Sequence, residues 1–106
     1  MMWKIWLLLV AAIVAELIGT TSLKLSDGMS KLLPTASFVL TYALSFWLLS
    51  IVLKRMEVSV AYAVWAGAGT ALMAVIGIVL FGESISPLKL VSIVLIVLGV
   101  IGLNLA

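Results

Sequence analysis

The chain has 106 residues, of which 66% are hydrophobic and only 9% charged, with a formal net charge of +2 and a mean hydropathy of +1.45. A soluble domain is usually about 45–50% apolar, and a chain this short cannot bury such an excess, because small folds leave much of their area exposed. The high isoelectric point comes from six Lys/Arg against four Asp/Glu, too few for a nucleic-acid footprint; anionic lipid headgroups are the better-matched neighbours of the lysines. Cysteine and histidine are both absent, which removes disulfides, thiolate chemistry and the commonest zinc arrangements. No cofactor, metal site or catalytic residue is expected.

A helix needs about 20 residues to cross the hydrocarbon core. The first predicted span covers 5–23, with Trp3, Lys4 and Trp6 at one interface. The N-terminal stretch has the look of a leader peptide, but Glu16 interrupts the apolar run and patterned sequence follows at Gly19–Ser22, so the segment is expected to be retained. A polar connection from Lys24 to Pro34 contains the turn signal Asp27-Gly28, and Pro34 suits the first turn of the next helix. The second span covers 35–53 and ends at Lys54, Arg55 and Glu57. The third covers 58–81; Gly82-Glu83-Ser84 breaks the pattern, and Pro87 opens the fourth, 87–105. The expectation is an all-α membrane protein, a single four-helix transmembrane domain over 1–106. Continuous apolar runs exclude a β-barrel, whose strands alternate.

With four spans, Lys4, Lys54 and Arg55 fall on one side of the membrane and Lys24, Lys31 and Lys89 on the other. Three against three gives the positive-inside rule little to act on, so the chain can insert both ways round unless one or two lysines near helix ends dominate.

Glu16 stands near mid-membrane with Ala12, Ile13, Gly19 and Thr20 as same-face neighbours and no Lys or Arg one turn away. A charged group there is costly and normally faces a bundle interior or wet cavity. Removal from water disfavours the charged form of a carboxyl group, so such a group is suited to exchanging a proton for a cation. The competing explanation is a neutral glutamic acid bonded to a neighbouring helix. Gly19, Thr20, Thr21 and Ser22 suit cavity lining and close helix packing about equally.

Tyr62 and Trp65, three residues apart on the third span, share a face that Ala66 and Gly69 extend. Opposite a carboxylate, an indole and a phenol suit a cation with an apolar body. Tyr42, Ser45, Phe46 and Trp47 offer similar chemistry on the second span. For all these aromatics an interface belt is the rival explanation. Gly67 and Gly69, then Gly77, loosen the third helix and permit a bend. In the fourth span Ser92, Gly99 and Ala106 recur every seven residues, a small-residue stripe suited to helix association. Four short helices are thin for a complete transporter, and a symmetric dimer would bring two Glu16 side chains toward one cavity.

These residues carry a resemblance to the small multidrug resistance family of bacterial inner-membrane transporters. It rests on Ala15-Glu16-Leu17-Ile18-Gly19-Thr20-Thr21, Leu23-Lys24-Leu25-Ser26-Asp27-Gly28 with Leu33-Pro34, Ser45-Phe46-Trp47-Leu48-Leu49, Ala61-Tyr62-Ala63-Val64-Trp65 with Gly67 and Gly69, Leu80-Phe81-Gly82-Glu83, and Gly99 leading to Asn104. The resemblance implies a proton-coupled antiporter that exports lipophilic or quaternary ammonium cations by alternating access as an antiparallel homodimer. It implies that Glu16 binds proton or substrate in turn, and that Tyr62, Trp65, Tyr42, Ser45, Trp47, Gly19 and Thr20 line the site. Gly67 and Gly69 would give flexibility, and Ser92 and Gly99 would make dimer contacts. Guanidinium-exporting relatives usually carry a bulky residue near Gly19, so Gly19-Thr20-Thr21 resembles the multidrug branch. The chain departs from the pattern at Ala66, Glu57-Val58-Ser59 and Ser92. Its acidic loop and Gly69-Thr70-Ala71-Leu72 resemble members that work as two-gene pairs, which keeps a paralogous small subunit open as the partner. Export of guanidinium or polyamines would suit the same carboxylate and aromatics, and a non-transporting accessory protein would use Glu16 only to pair helices.

Overall fold

A computed structural model describes residues 2–106, with side chains from Trp3 onward; Met1 and the Met2 side chain, which begin the leader-like stretch, lie outside the described residues. Four helices follow in order: α1 (Met2–Leu25), α2 (Leu32–Val52), α3 (Val58–Phe81) and α4 (Pro87–Leu105). Each is long and apolar enough to cross a membrane. At about 1.5 Å per residue, even the 19 residues of α4 approach the thickness of the hydrocarbon core, roughly 30 Å.

The helix ends follow local chemistry. α2 starts three residues before the predicted span, so Pro34 is its third residue. That position is still within the first turn, where a backbone N–H has no intrahelical partner and its loss costs nothing. Pro87 opens α4, and the Ser86 hydroxyl caps it by accepting from the Lys89 amide at 3.1 Å. α3 ends at Gly82, whose φ of 64° is the left-handed conformation that glycine adopts without steric cost. The Glu83 amide then donates to the Gly77 carbonyl at 3.1 Å.

The turn between α1 and α2 is organised by Ser26. Its side chain is fully buried, donates to the Leu23 carbonyl at 2.6 Å and accepts from the Met29 amide at 2.9 Å. Its carbonyl takes the amides of Ser30 and Lys31 at 3.0 and 3.1 Å. These bonds hold Asp27, Gly28 and Met29 in succession at positive φ (50°, 70° and 65°). That conformation is costly for Met29, which has a side chain to accommodate.

The chain divides into two compact units, Met1–Met56 and Glu57–Ala106. In the first, α1 and α2 form an antiparallel hairpin. The α1 side chains Leu9, Ala12, Ile13, Ala15 and Leu17 are buried, as are Ser45 and Val52 of α2. In the second, α3 packs on α4 with Val100 seated against the bare Cα of Gly67. The Glu83 carboxyl folds back against Gly77 and pairs with Lys89 at 3.6 Å, while Lys89 also donates to the Ser84 carbonyl at 3.2 Å. No residue of α4 is buried; Leu90, Val91, Val94, Leu95, Leu98 and Ile101 are among its exposed apolar side chains. In water such a surface would aggregate, but hydrocarbon or another protein satisfies it.

Candidate functional site

The site begins with a helical spacing. Four residues along α1 bring Thr20 onto the same face as Glu16, and the Thr20 hydroxyl donates to Glu16 Oε1 at 2.9 Å. The next member comes from α2: the Tyr42 hydroxyl lies 2.6 Å from Thr20 Oγ1 and donates to Glu16 Oε1 at 3.2 Å. Two hydroxyls, one from each helix, therefore close a three-oxygen ring with Oε1 of the half-buried carboxyl group.

Proton counting gives that ring its chemical meaning. Thr20 and Tyr42 each carry one hydroxyl hydrogen, but there are three oxygen–oxygen approaches to fill. With Glu16 ionised, both hydroxyls turn to the carboxylate and the short Thr20–Tyr42 approach has no hydrogen. A proton on Oε1 would supply the third hydrogen, with Oε1 then donating to one of the two hydroxyls, which turns its own hydrogen to the other. The ring therefore has an oxygen–oxygen approach whose hydrogen depends on whether Oε1 carries a proton.

Tyr42 is held in place from several sides. Its ring stands 4.5 Å from Phe38 (tilted by 50°) and 6.0 Å from Phe46 (edge-on, 71°), one turn away in each direction along α2. On the α1 side it rests on Gly19, which is buried. Further polar contacts pin α2 to α1 on either side of the ring. Ser22 and Ser37 share a hydrogen bond of 2.8 Å, and Ser45, fully buried, donates to the Ala12 carbonyl at 2.8 Å.

Of the residues the sequence nominates, the structure brings Glu16, Thr20, Tyr42 and Gly19 together. Ser45 is directed at the backbone of α1, and Trp47 is 62% exposed. In the second unit Tyr62 is 72% exposed and Trp65 half-buried on α3, where Gly67 and Gly69 are buried, while Ser92 and Gly99 are exposed on α4. Sequence reasoning did not assign Phe38 to the site; its signal was the i, i+4 spacing of Phe38, Tyr42 and Phe46, which stacks aromatic side chains along one helix face. Ser22 and Ser37 are visible in the sequence only as hydroxyls, since nothing local pairs residues fifteen apart. Among the described residues, no cluster of acidic side chains is suited to holding a metal ion.

Residues 4–96 match the profile of the Small Multidrug Resistance protein family. The chain belongs to that family. It is a multi-pass protein of the bacterial inner membrane. Among its relatives, the quaternary ammonium compound-resistance protein QacE of Escherichia coli is 46% identical, over 96% of this chain and 93% of that protein. The multidrug resistance protein EbrB of Bacillus subtilis is 44% identical, over 92% of this chain and 84% of that protein. The guanidinium exporter of Escherichia coli K12 is also 44% identical, over 95% of this chain and 96% of that protein. Family membership therefore extends across nearly the whole chain, while identity alone barely separates the quaternary ammonium relative from the guanidinium one.

Proposed function

We propose that this protein exports lipophilic and quaternary ammonium cations in exchange for protons, with Glu16 as the group that binds either one. A role in efflux transport, as distinct from catalysis, accords with the resistance proteins among its relatives. The observation that carries the finer reading is the ring formed by Glu16, Thr20 and Tyr42, a mid-span carboxyl group met by hydroxyls from two helices. Ionised Glu16 attracts the cation's charge and the face of Tyr42 its apolar body, the role that the family resemblance also gives to Trp47, Tyr62 and Trp65. Protonation removes the charge and releases the cation. Coupling follows because the binding free energy of the cation differs between the two states of the carboxyl group.

Alternating access requires a second subunit in this reading. Ser92 and Gly99 on the apolar surface of α4 supply close helix contact, either with an antiparallel second copy or with a paralogous small subunit. The even division of Lys and Arg between the two sides supports the antiparallel copy. Export of guanidinium is the second reading, favoured by the 44% identical guanidinium exporter. Against it stands Gly19-Thr20-Thr21, which resembles the multidrug branch.

The test is proton release from purified, detergent-solubilised protein on addition of tetraphenylphosphonium near neutral pH, beside the Glu16→Gln variant. Release is expected from the wild type and is expected to fall to background in the variant. Equal release from both would remove Glu16 from the mechanism. Release by guanidinium in place of tetraphenylphosphonium would move the assignment to the second reading.

A further inference from the structure

We propose that the end of the α1–α2 hairpin carrying Lys4, Lys54 and Arg55 is a binding site for the headgroup phosphate of an anionic phospholipid. The site is separate from Glu16 and does not depend on cation exchange there.

Helix register brings the three cations to one end. Tyr42 meets Glu16 and Ser45 meets the Ala12 carbonyl, so α1 and α2 pass each other antiparallel at a fixed offset. Continued for about two more turns along each helix, that offset puts Lys4 level with Lys54. The turn beyond α2 is ordered: the amides of Lys54, Arg55 and Met56 donate to the carbonyls of Ile51, Val52 and Val52 at 3.2, 3.0 and 3.0 Å. Val52 and Met56 are buried, whereas Lys54 and Arg55 are exposed. A fixed backbone therefore carries two cations into the surroundings. Lys4, also exposed, extends its ammonium over the Trp3 ring at 5.7 Å, and an indole at a helix end sits at headgroup level.

These charges are not spent within the protein. Lys4, Lys54 and Arg55 take part in no ion pair among the described residues, and neither does Glu57, the next acid along the chain. The opposite end of the hairpin differs, because there Lys24 and Lys31 flank Asp27. A guanidinium grips a phosphate through two parallel N–H bonds, and ammonium groups beside it add point charge. A lipid matches this end better than a soluble anion does, since the cations stand where a membrane-crossing hairpin leaves the hydrocarbon. Exposed apolar side chains, Leu7 and Val10 on α1 and Leu44 on α2, lie on the membrane side of them. One phospholipid satisfies both surfaces, its phosphate with the cations and its acyl chains with the apolar flank.

Native mass spectrometry of the purified full-length protein in neutral detergent tests this, with phosphatidylglycerol, phosphatidylcholine and inorganic phosphate as probes. Three forms are compared: wild type, Lys54→Gln/Arg55→Gln and Lys24→Gln/Lys31→Gln, the two variants losing equal charge. The wild type is expected to retain phosphatidylglycerol in preference to phosphatidylcholine. Its affinity for phosphatidylglycerol is expected to fall about thirtyfold in Lys54→Gln/Arg55→Gln, the worth of two basic side chains at a membrane surface, and to hold in Lys24→Gln/Lys31→Gln. Equal losses in the two variants would reduce the effect to overall charge and overturn the proposal. Equal retention of the two lipids would overturn it too, as would displacement of phosphatidylglycerol by inorganic phosphate, which would make this a site for free anions. Should circular dichroism show Lys54→Gln/Arg55→Gln unfolded, Lys4→Gln leaves the turn intact and is expected to weaken phosphatidylglycerol binding about fivefold. Unchanged binding in Lys4→Gln would then overturn the assignment.

Discussion

The two hairpins of this protein join their helices in different ways. α1 and α2 are tied by directional bonds at three levels, Ser22 to Ser37, Glu16 and Thr20 to Tyr42, and Ser45 to the Ala12 carbonyl. α3 and α4 meet through shape, with Val100 filling the space over Gly67, and through an exposed ion pair at their turn. Hydrogen bonds across helices fix register, because a shift of even one residue leaves hydroxyls without partners in a medium that offers no water. Apolar contacts tolerate repacking, since hydrocarbon competes for them on nearly equal terms. The α1–α2 pair therefore holds the Glu16 carboxyl group in a fixed hydrogen-bonded setting, whereas α3 and α4 are joined by contacts that can repack.

Three substitutions would break or sharpen this contrast, read as unfolding in mixed detergent micelles by circular dichroism. The largest effect is expected from Gly67→Leu, which drives a side chain into Val100 and costs about 1–3 kcal/mol as overpacking. Val100→Ala in the same chain is expected to recover most of that loss; no recovery would place the stress elsewhere on α3. Ser45→Val follows. It leaves the Ala12 carbonyl with its own helical donor and removes one buried bond, at a cost of about 0.6–1 kcal/mol. Little loss of stability joined to a changed cation affinity would make Ser45 a contact for substrate more than a tie between helices. The smallest effect is expected from Lys89→Met, which breaks the pair with Glu83. Exposed pairs contribute about 0–1 kcal/mol and are screened by salt, so the difference from wild type is expected to vanish at high ionic strength. A difference that persists in salt would mean the pair is shielded, as it would be beneath a second subunit.

Much of the site was legible because its signals are local. Thr20 follows Glu16 by one helical turn, and any α1 helix places the two together. The contribution of Tyr42 was legible only as an aromatic residue on another span. That its hydroxyl reaches Glu16, twenty-six residues away in the chain, depends on how closely α1 and α2 approach. Gly19 permits that approach, yet in the sequence a glycine there suits a cavity or a packed interface equally. The same ambiguity surrounds Ser45, whose hydroxyl would suit a substrate pocket and in the structure meets a backbone carbonyl.

The sequence by itself determined that four helices cross a membrane, where each is interrupted, and that a lone carboxyl group lies midway along the first. These follow from hydropathy, helical rise and turn chemistry, all of which act over a few residues. Tertiary structure decided which hydroxyls attend that carboxyl, which glycine makes room for them, and that Ser26 gathers the α1–α2 turn around itself. Those outcomes depend on register and separation between helices, and interhelical distance is set by the packing of both surfaces at once, which no local pattern encodes.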